Sequence, residues 1–230
     1  GASEASTKTT ELLHPYSAYK MSEYHPDYHP DDDEQKIERW VLFCGGLAPF
    51  FSILLFLSPI PTIRRVLVTG TVGDLPLLPY TSMAASTFVW VVYGILKKEP
   101  LIWGTNSVEF VLSVYYFVEF TNYCSHKEYN VYKHIKGCAG IAVATLFMAV
   151  LGKASWIGDA TVVLSIVMFA SPLAALEAVV RSQSAAAIPW PFTIATLMNC
   201  ALWTIVGVWE LHDVYVYFPE VLGLLLGCTQ

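Results

Sequence analysis

The segments Phe56-Leu57-Ser58-Pro59 and Trp90-Val91-Val92-Tyr93-Gly94 decide the fold, because their residues recur 113 positions later. Ser58-Pro59 returns as Ser171-Pro172, and Phe56 returns as Phe169 at the same offset. Trp90 and Gly94 return as Trp203 and Gly207, again at this offset. A constant offset shared by several unlike residues indicates a duplicated structural unit. We therefore predict that the chain contains two copies of one unit.

The composition is that of a membrane protein. Apolar residues make up 55% of the chain and charged residues 14%, whereas about 25% of the residues of a soluble domain are charged. The mean hydropathy is +0.50. So few charges cannot cover a water-facing surface, which argues against a soluble enzyme. The sequence also contains no phosphate-binding loop, nucleophile motif or metal-ligand spacing, so we expect no enzyme activity, no cofactor and no metal.

Seven apolar segments follow one another from Trp40 onward, separated by short polar breaks. Each segment is near the length that a helix needs to cross a bilayer, and lipid offers no partners for the backbone of other structures. We predict an all-α integral membrane protein with seven transmembrane helices, arranged as two parallel three-helix repeats joined by a linker helix. The segments are Trp40–Val68, Leu75–Leu96, Leu101–Asn122, Ile135–Leu151, Ile157–Val180, Ile188–Trp209 and Val214–Cys228.

The predicted domain boundaries follow from these segments. Residues 1–39 hold nine acids and four bases and are predicted to form a disordered acidic tail. The first repeat covers residues 40–122, the linker helix with its flanking loops covers 123–155, and the second repeat covers 156–230. The loops on one side of the membrane carry six cations against three on the other, which predicts an external N-terminus and a cytoplasmic C-terminus. The expected location is the plasma membrane.

Polar residues at bilayer depth form the candidate site. Ser86 lies four residues before Trp90, and Asn199 lies four before Trp203, so each polar group shares a helix face with an indole. Asn106 and its counterpart Glu220 add an amide and a carboxyl group in the third helix of each repeat, where polar groups usually face a cavity. Two indoles with nearby hydrogen-bonding groups suit a neutral, hydroxyl-rich ligand. The predicted partners are such a small molecule and the lipid bilayer, whereas the lack of a basic surface excludes nucleic acid.

Prolines at related positions are candidate hinges. Pro59 and Pro172 lie late in the first helix of each repeat, and Pro79 and Pro189 lie near the start of the second. Proline removes a backbone donor and loosens a helix. A single proline in a membrane helix is more simply a static kink, but the symmetric set favours hinges.

These residues, in this order, resemble the SWEET (MtN3/saliva) family of sugar transporters, over nearly the whole membrane portion. The motifs that carry the resemblance are Phe56-Leu57-Ser58-Pro59-Ile60-Pro61-Thr62, Leu78-Pro79-Tyr80, Trp90-x-x-Tyr93-Gly94, Ala170-Ser171-Pro172-Leu173, Ile188-Pro189, Trp203-x-x-x-Gly207 and Asp213-x-Tyr215-x-x-x-Pro219.

The resemblance implies facilitated diffusion of mono- or disaccharides by alternating access in a bundle of three, one and three helices. It implies a pocket that includes Ser86, Trp90, Asn106, Asn199 and Trp203, and hinges at the four prolines. It also implies an outer gate that involves Tyr93 and Asp213. The sugar size and the oligomeric state stay open, a homo-oligomer among the alternatives.

This chain departs from the family pattern at three positions. Glu220 stands where the family usually has a second pocket Asn, Glu109 where it usually has a Gly, and Val206 where a second gate Tyr is expected. One hypothesis is that Glu220, together with Glu109, is protonated in the membrane and makes transport pH-sensitive. The simpler interpretation is that Glu220 only replaces Asn as a hydrogen-bonding group. Two alternative functions are a related transporter for a small cationic or proton-coupled solute, using Glu109 and Glu220, and a seven-helix receptor.

Overall fold

The computed structural model describes residues 32–166, residue 168 and residues 190–228. The predicted hinges Pro172 and Pro189 therefore lie outside the described residues. The repeated motif residues Phe169 and Ser171 lie outside them as well. The division of the chain into tail, repeats and linker stays a prediction, although the first helix already begins at Asp32.

The described residues form helices and short connections, with no strand among them. The break at Ser58 and Pro59 divides the first apolar segment into two helices. The helix that begins at Trp190 continues into one π-helical turn, Val206–Glu210. The helices are α1 Asp32–Leu57, α2 Ile60–Thr69, α3 Leu78–Lys97, α4 Pro100–Asn122, α5 Val131–Val150, α6 Ala154–Ile166, α7 Trp190–Ile205 and α8 Val214–Gly227.

Large apolar side chains cover the outer faces of these helices. Val111, Phe147 and Leu225 are each more than half exposed, as are many similar residues. Such a surface is stable in lipid and would aggregate in water. Three spans of the described chain are long and apolar enough to cross a membrane, namely Gln35–Thr69, Val131–Val150 and Thr193–Glu210. The prediction of an all-α integral membrane protein is confirmed.

The packing order separates two halves that meet along α1. Helix α4 lies between α1 and α3 in the first half, and α7 packs against α8 in the second. Helix α1 also packs against α7 and against the π-helical turn that follows it. The linker helix α5 packs on α3. Among the described helices of the first half, α1 therefore packs most extensively against the second.

The repeated glycines explain how the second and third helices of each repeat cross. A Cβ atom on Gly94 would lie 2.6 Å from the backbone nitrogen of Trp103 at the start of α4. A Cβ atom on Gly207 would lie 2.9 Å from the backbone nitrogen of Tyr217 at the start of α8. Only glycine allows these two backbones to approach so closely. Gly94 and Gly207 thus have the same packing role, as their common offset from the repeated Trp predicts.

The helix break at Pro59 exposes a backbone carbonyl that a side chain from another helix satisfies. Pro59 has no N–H group, and the α-helical hydrogen-bond pattern is interrupted between Leu57 and Ile60. The hydroxyl of Tyr116 on α4 donates a hydrogen bond of 2.7 Å to the Phe56 carbonyl, and Tyr116 is fully buried. A broken helix at membrane depth is stable when neighbours supply such partners. The hinge role of Pro59 stays a prediction.

Replacing Tyr116 by phenylalanine tests this account of the break. The change leaves the Phe56 carbonyl without its partner, and an unsatisfied buried acceptor costs about 1–3 kcal/mol. We expect the free energy of unfolding in detergent to fall by that amount, measured by denaturant titration. The control is Tyr115→Phe, since Tyr115 is 43% exposed. Equal stability of the Tyr116 and Tyr115 variants would contradict the account.

Candidate functional site

A buried serine on α1 joins the two halves of the bundle. The hydroxyl of Ser52 donates a hydrogen bond of 2.9 Å to Oδ1 of Asn199. It accepts a hydrogen bond of 2.9 Å from Nε1 of Trp203. Asn199 and Trp203 lie four residues apart on α7, so they present their polar groups on one helix face, as their spacing predicts. We call Ser52, Asn199 and Trp203 the serine network.

Sequence reasoning missed Ser52, although a signal for it was present. Ser165 follows Ser52 at the same offset that relates the other repeated residues. Ser165 lies half-buried on α6, the first helix of the second repeat. A small polar residue at matching depth in both copies is the same kind of signal that identifies Ser86 and Asn199.

Two carboxyl groups lie beside the serine network. Glu109 on α4 is 4% exposed, and its carboxyl group lies near the Ser52 hydroxyl without a hydrogen bond between them. The carboxyl group of Glu220 on α8 is near enough for its charge to act on Glu109, and it interacts with the Cys200 thiol. Oε1 of Glu109 is buried and has no hydrogen-bond partner among the described residues. The site therefore combines one indole, one amide, one hydroxyl group and two acids.

Within the described residues, the predicted residues of the first repeat form no hydrogen bond with the serine network. The Asn106 amide donates a hydrogen bond of 2.9 Å to the Ile102 carbonyl of its own helix. Ser86 is buried on α3, and Trp90 is half-buried with its ring 5.7 Å from that of Tyr93, edge to face. No ring contact joins Trp90 to Trp203 within the part of the chain that the structure describes, but both indoles pack on the same apolar cluster.

The orientation of Trp203 bears directly on the site hypothesis. Its side chain is 7% exposed and belongs to the core between the halves. A Trp of an interfacial belt would instead face lipid and headgroups. The position of Trp203 therefore agrees with a residue that faces the other half of the bundle.

The predicted gate residues meet at one end of the bundle. The Tyr93 hydroxyl donates a hydrogen bond of 2.7 Å to Oδ2 of Asp213, and Nζ of Lys97 lies 3.1 Å from the same oxygen. Asp213 is 5% exposed and caps α8 by accepting a hydrogen bond from the Tyr215 amide. Hydrogen bonds to charged groups are among the stronger ones in proteins. The two halves are joined at this end, and Lys97 is a third participant that the sequence did not predict.

Val206 and Pro79 are two further positions that the sequence analysis singled out. Val206 is fully buried at the position where a second gate Tyr was expected, at the start of the π-helical turn. Pro79 is at the beginning of α3 rather than within it, where its missing N–H group costs nothing. Its role as a hinge stays a prediction.

A protein-family model described as a sugar efflux transporter for intercellular exchange matches residues 42–128 and 155–230. The chain belongs to the SWEET (MtN3/saliva) family. The family resemblance predicted from the repeated motifs is thereby confirmed. The matched ranges leave out the middle of the chain, which includes the linker helix α5 of this SWEET protein.

Named relatives agree with the family. The bidirectional sugar transporter SWEET7 of Arabidopsis thaliana is 26% identical over 201 residues, which cover 81% of this chain and 76% of the relative. The sugar transporter SWEET1 of Dictyostelium discoideum is 25% identical over 207 residues, covering 86% of this chain and 94% of the relative. These relatives are named as transporters, which confirms the prediction that this SWEET protein is not an enzyme.

A solved structure shares the fold. The structure of a eukaryotic SWEET transporter superposes with a TM-score of 0.71 at 25% sequence identity, covering 84% of this chain and 94% of the other. The arrangement of three, one and three helices predicted for this SWEET protein agrees with that likeness.

Proposed function

We propose that this protein carries mono- or disaccharides across a membrane by facilitated diffusion, through alternating access of a site between Trp90 and Trp203. The serine network is the observation that carries the proposal. It brings hydroxyl, amide and indole groups together where the halves of the bundle meet. The relatives that are named as sugar transporters support the same conclusion.

The hydrogen bonds of the serine network explain how a sugar could compete with the contacts between the two halves. Ser52, Asn199 and Trp203 satisfy one another while the halves are in contact. When the halves separate, the same donors and acceptors become available to sugar hydroxyl groups, and the indole face can pack against the apolar side of the ring. The sugar replaces contacts between the halves, so its binding shifts the balance between the closed and open states.

The outer gate and the hinges complete the proposed cycle. The contact of Tyr93 and Lys97 with Asp213 closes one end, and the helix break at Pro59 supplies a point where the inner end of the first half can move. Pro79, Pro172 and Pro189 are the further hinges in this proposal. The remaining pocket residues are Ser86, Asn106 and Glu220.

The charges at the opposite end of the bundle support the proposed orientation. Arg64 and Arg65 on α2 and Lys127 before α5 are exposed near the end that is remote from Asp213. Cations concentrate on the cytoplasmic side of membrane proteins. This supports an external gate and N-terminus, with a cytoplasmic C-terminus, and the plasma membrane is the proposed location.

A substrate panel in proteoliposomes tests the function. We expect exchange of labelled glucose or sucrose that exceeds that of protein-free vesicles and saturates with concentration. The second candidate is a small cation, because Glu109 is buried and its Oε1 atom has no hydrogen-bond partner among the described residues. Competition by cations and amino acids with no sugar exchange would favour that candidate, and the absence of any flux would favour a receptor.

A further inference from the structure

A groove lined by basic side chains lies where the linker helix α5 begins. Its volume is about 460 Å³, and pockets for small ligands typically have about 300–1,000 Å³. Helix α5 contacts Thr81 near the start of α3 here, so the groove is at the end of the bundle that is remote from Asp213. The side chains that line this basic groove are His126, Lys127, Asn130, Tyr132, Lys133 and Lys136.

The three lysines of the basic groove have no acidic partner. Each of them is exposed, and none forms an ion pair within the described part of the chain. Glu128, in the preceding turn, is exposed and is not among the residues that line the groove. Asn130 begins α5 without using its side chain as a helix cap. The groove therefore presents three positive charges and an amide group, which suits an anion with several oxygen atoms.

The packing of α5 on α3 sets the direction of the basic groove. A ring nitrogen of His134 lies 3.1 Å from the Thr81 hydroxyl, and the Cys138 thiol donates to the Thr81 carbonyl. Tyr132 and Lys136 precede these two residues by two positions each, which places them on the opposite face of the helix. Nζ of Lys136 lies 4.3 Å from the centre of the Tyr132 ring. This cation–π contact holds the ammonium group over the ring, at the edge of the groove.

An exposed apolar stripe continues from the basic groove along the same face of α5. Residues three or four positions apart share a helix face. At this spacing Tyr132 and Lys136 are followed by Ala139, Val143, Phe147 and Val150. The last three are each more than half exposed. Acyl chains can lie along this stripe while a headgroup fills the groove, whereas a soluble anion would leave the stripe unused. The continuity of groove and stripe therefore favours a lipid.

We propose that the basic groove binds the headgroup of an anionic phospholipid that carries more than one phosphate group. Three lysines match the charge of several phosphate groups better than that of one. Basic clusters at the cytoplasmic ends of membrane helices bind such headgroups, and each lysine strengthens binding about fivefold. The groove lies on the cytoplasmic side in the orientation proposed above. This binding is separate from sugar transport, so the failure of either proposal leaves the other intact.

Lipid binding to the purified full chain in the absence of sugar tests the proposal. The protein is titrated in mixed micelles of detergent and phosphatidylcholine, and native mass spectrometry records the lipid that it retains. The probes are a phosphatidylinositol bisphosphate and phosphatidylserine, added at equal total charge. We expect the bisphosphate to bind more than about tenfold more tightly than phosphatidylserine. Equal retention of the two would show general attraction of anionic lipid and would overturn the site.

A soluble headgroup distinguishes a lipid from a free phosphate compound. Inositol trisphosphate carries the phosphate chemistry without acyl chains, and a short-chain phosphatidylinositol bisphosphate is soluble enough for direct comparison. We expect the short-chain lipid to bind at least about tenfold more tightly, because its chains contact the apolar stripe. Equal affinity of the two probes would identify a soluble phosphate as the occupant and would contradict the proposal.

Two pairs of charge-removing substitutions locate the binding. Lys133→Gln combined with Lys136→Gln should weaken binding of the bisphosphate lipid by roughly thirtyfold, about fivefold for each lysine. The matched control is Arg64→Gln combined with Arg65→Gln, because these exposed cations lie on α2 and do not line the groove. We expect the control to bind nearly as the unmodified protein does. Equal losses in the two pairs would overturn the location.

A substitution that leaves every charge in place tests the geometry of the groove. Tyr132→Ala removes the ring that holds Lys136, and Tyr132 is 70% exposed, so the fold should persist. We expect a loss of about threefold or more in affinity for the bisphosphate lipid. Trp156→Ala is the control, because Trp156 is exposed and makes the corresponding contact with Lys153 on another helix. Unchanged affinity in Tyr132→Ala would show that the groove has no defined geometry for the headgroup.

Discussion

Replacing Trp203 by alanine is expected to reduce sugar exchange at least about a hundredfold. The change removes both the aromatic face and the N–H group that holds Ser52. A buried aromatic anchor at a binding site is worth about 2 kcal/mol or more, and a lost hydrogen bond adds about 1 kcal/mol. Together these losses correspond to roughly a hundredfold or more in binding. Initial rates of labelled glucose and sucrose exchange in proteoliposomes measure the effect.

Companion variants separate the parts of the Trp203 effect. Trp203→Phe keeps a ring but loses the N–H group, so we expect a loss of about tenfold. Trp209→Ala is the control, since Trp209 is exposed on the turn that follows α7. We expect this variant to transport normally. The double variant Trp90→Ala, Trp203→Ala should show no exchange while eluting as a folded protein in detergent. Retained transport by the double variant would refute the pocket.

Removing Asp213 is expected to open the outer end of the bundle. Asp213→Ala leaves the buried Tyr93 hydroxyl group without its acceptor and Lys97 without its partner. An unsatisfied buried donor costs about 1–3 kcal/mol, which shifts the closed population by roughly ten- to a hundredfold. Transport should fall correspondingly, because an alternating-access cycle needs one state that is closed at the outer end and one that is closed at the inner end. Spin labels on Lys98 and His212, in the turns on either side of the gate, should move apart.

A double-variant cycle identifies the contact that is responsible. If the bond between Tyr93 and Asp213 carries the effect, then adding Tyr93→Phe to Asp213→Ala should change little further. Asp159→Asn is the control, because Asp159 is an exposed acid on α6. Label distances that do not change in Asp213→Ala would show that this contact does not hold the outer end closed.

The serine network shows where sequence reasoning was sufficient and where it was not. The spacing of Asn199 and Trp203 predicts that they share a face of α7, because that relation depends only on the helical period. Their meeting with Ser52 involves residues that lie far apart in the chain. This meeting depends on the rotation of α1 and α7 about their own axes, and the local sequence pattern does not specify that rotation. Asn106 illustrates the reverse case, since its polar side chain bonds to its own helix.

The amino-acid sequence by itself determined the helical membrane fold, the duplication and the break at Pro59. These features follow from local chemistry, because lipid forces backbone groups into helices and proline cannot donate to one. The tertiary structure alone decided that Tyr116 satisfies the broken helix and that Lys97 joins Tyr93 at Asp213. Each of these depends on side chains of different helices arriving within about 3 Å of one another, and only the packing of the whole bundle sets such distances.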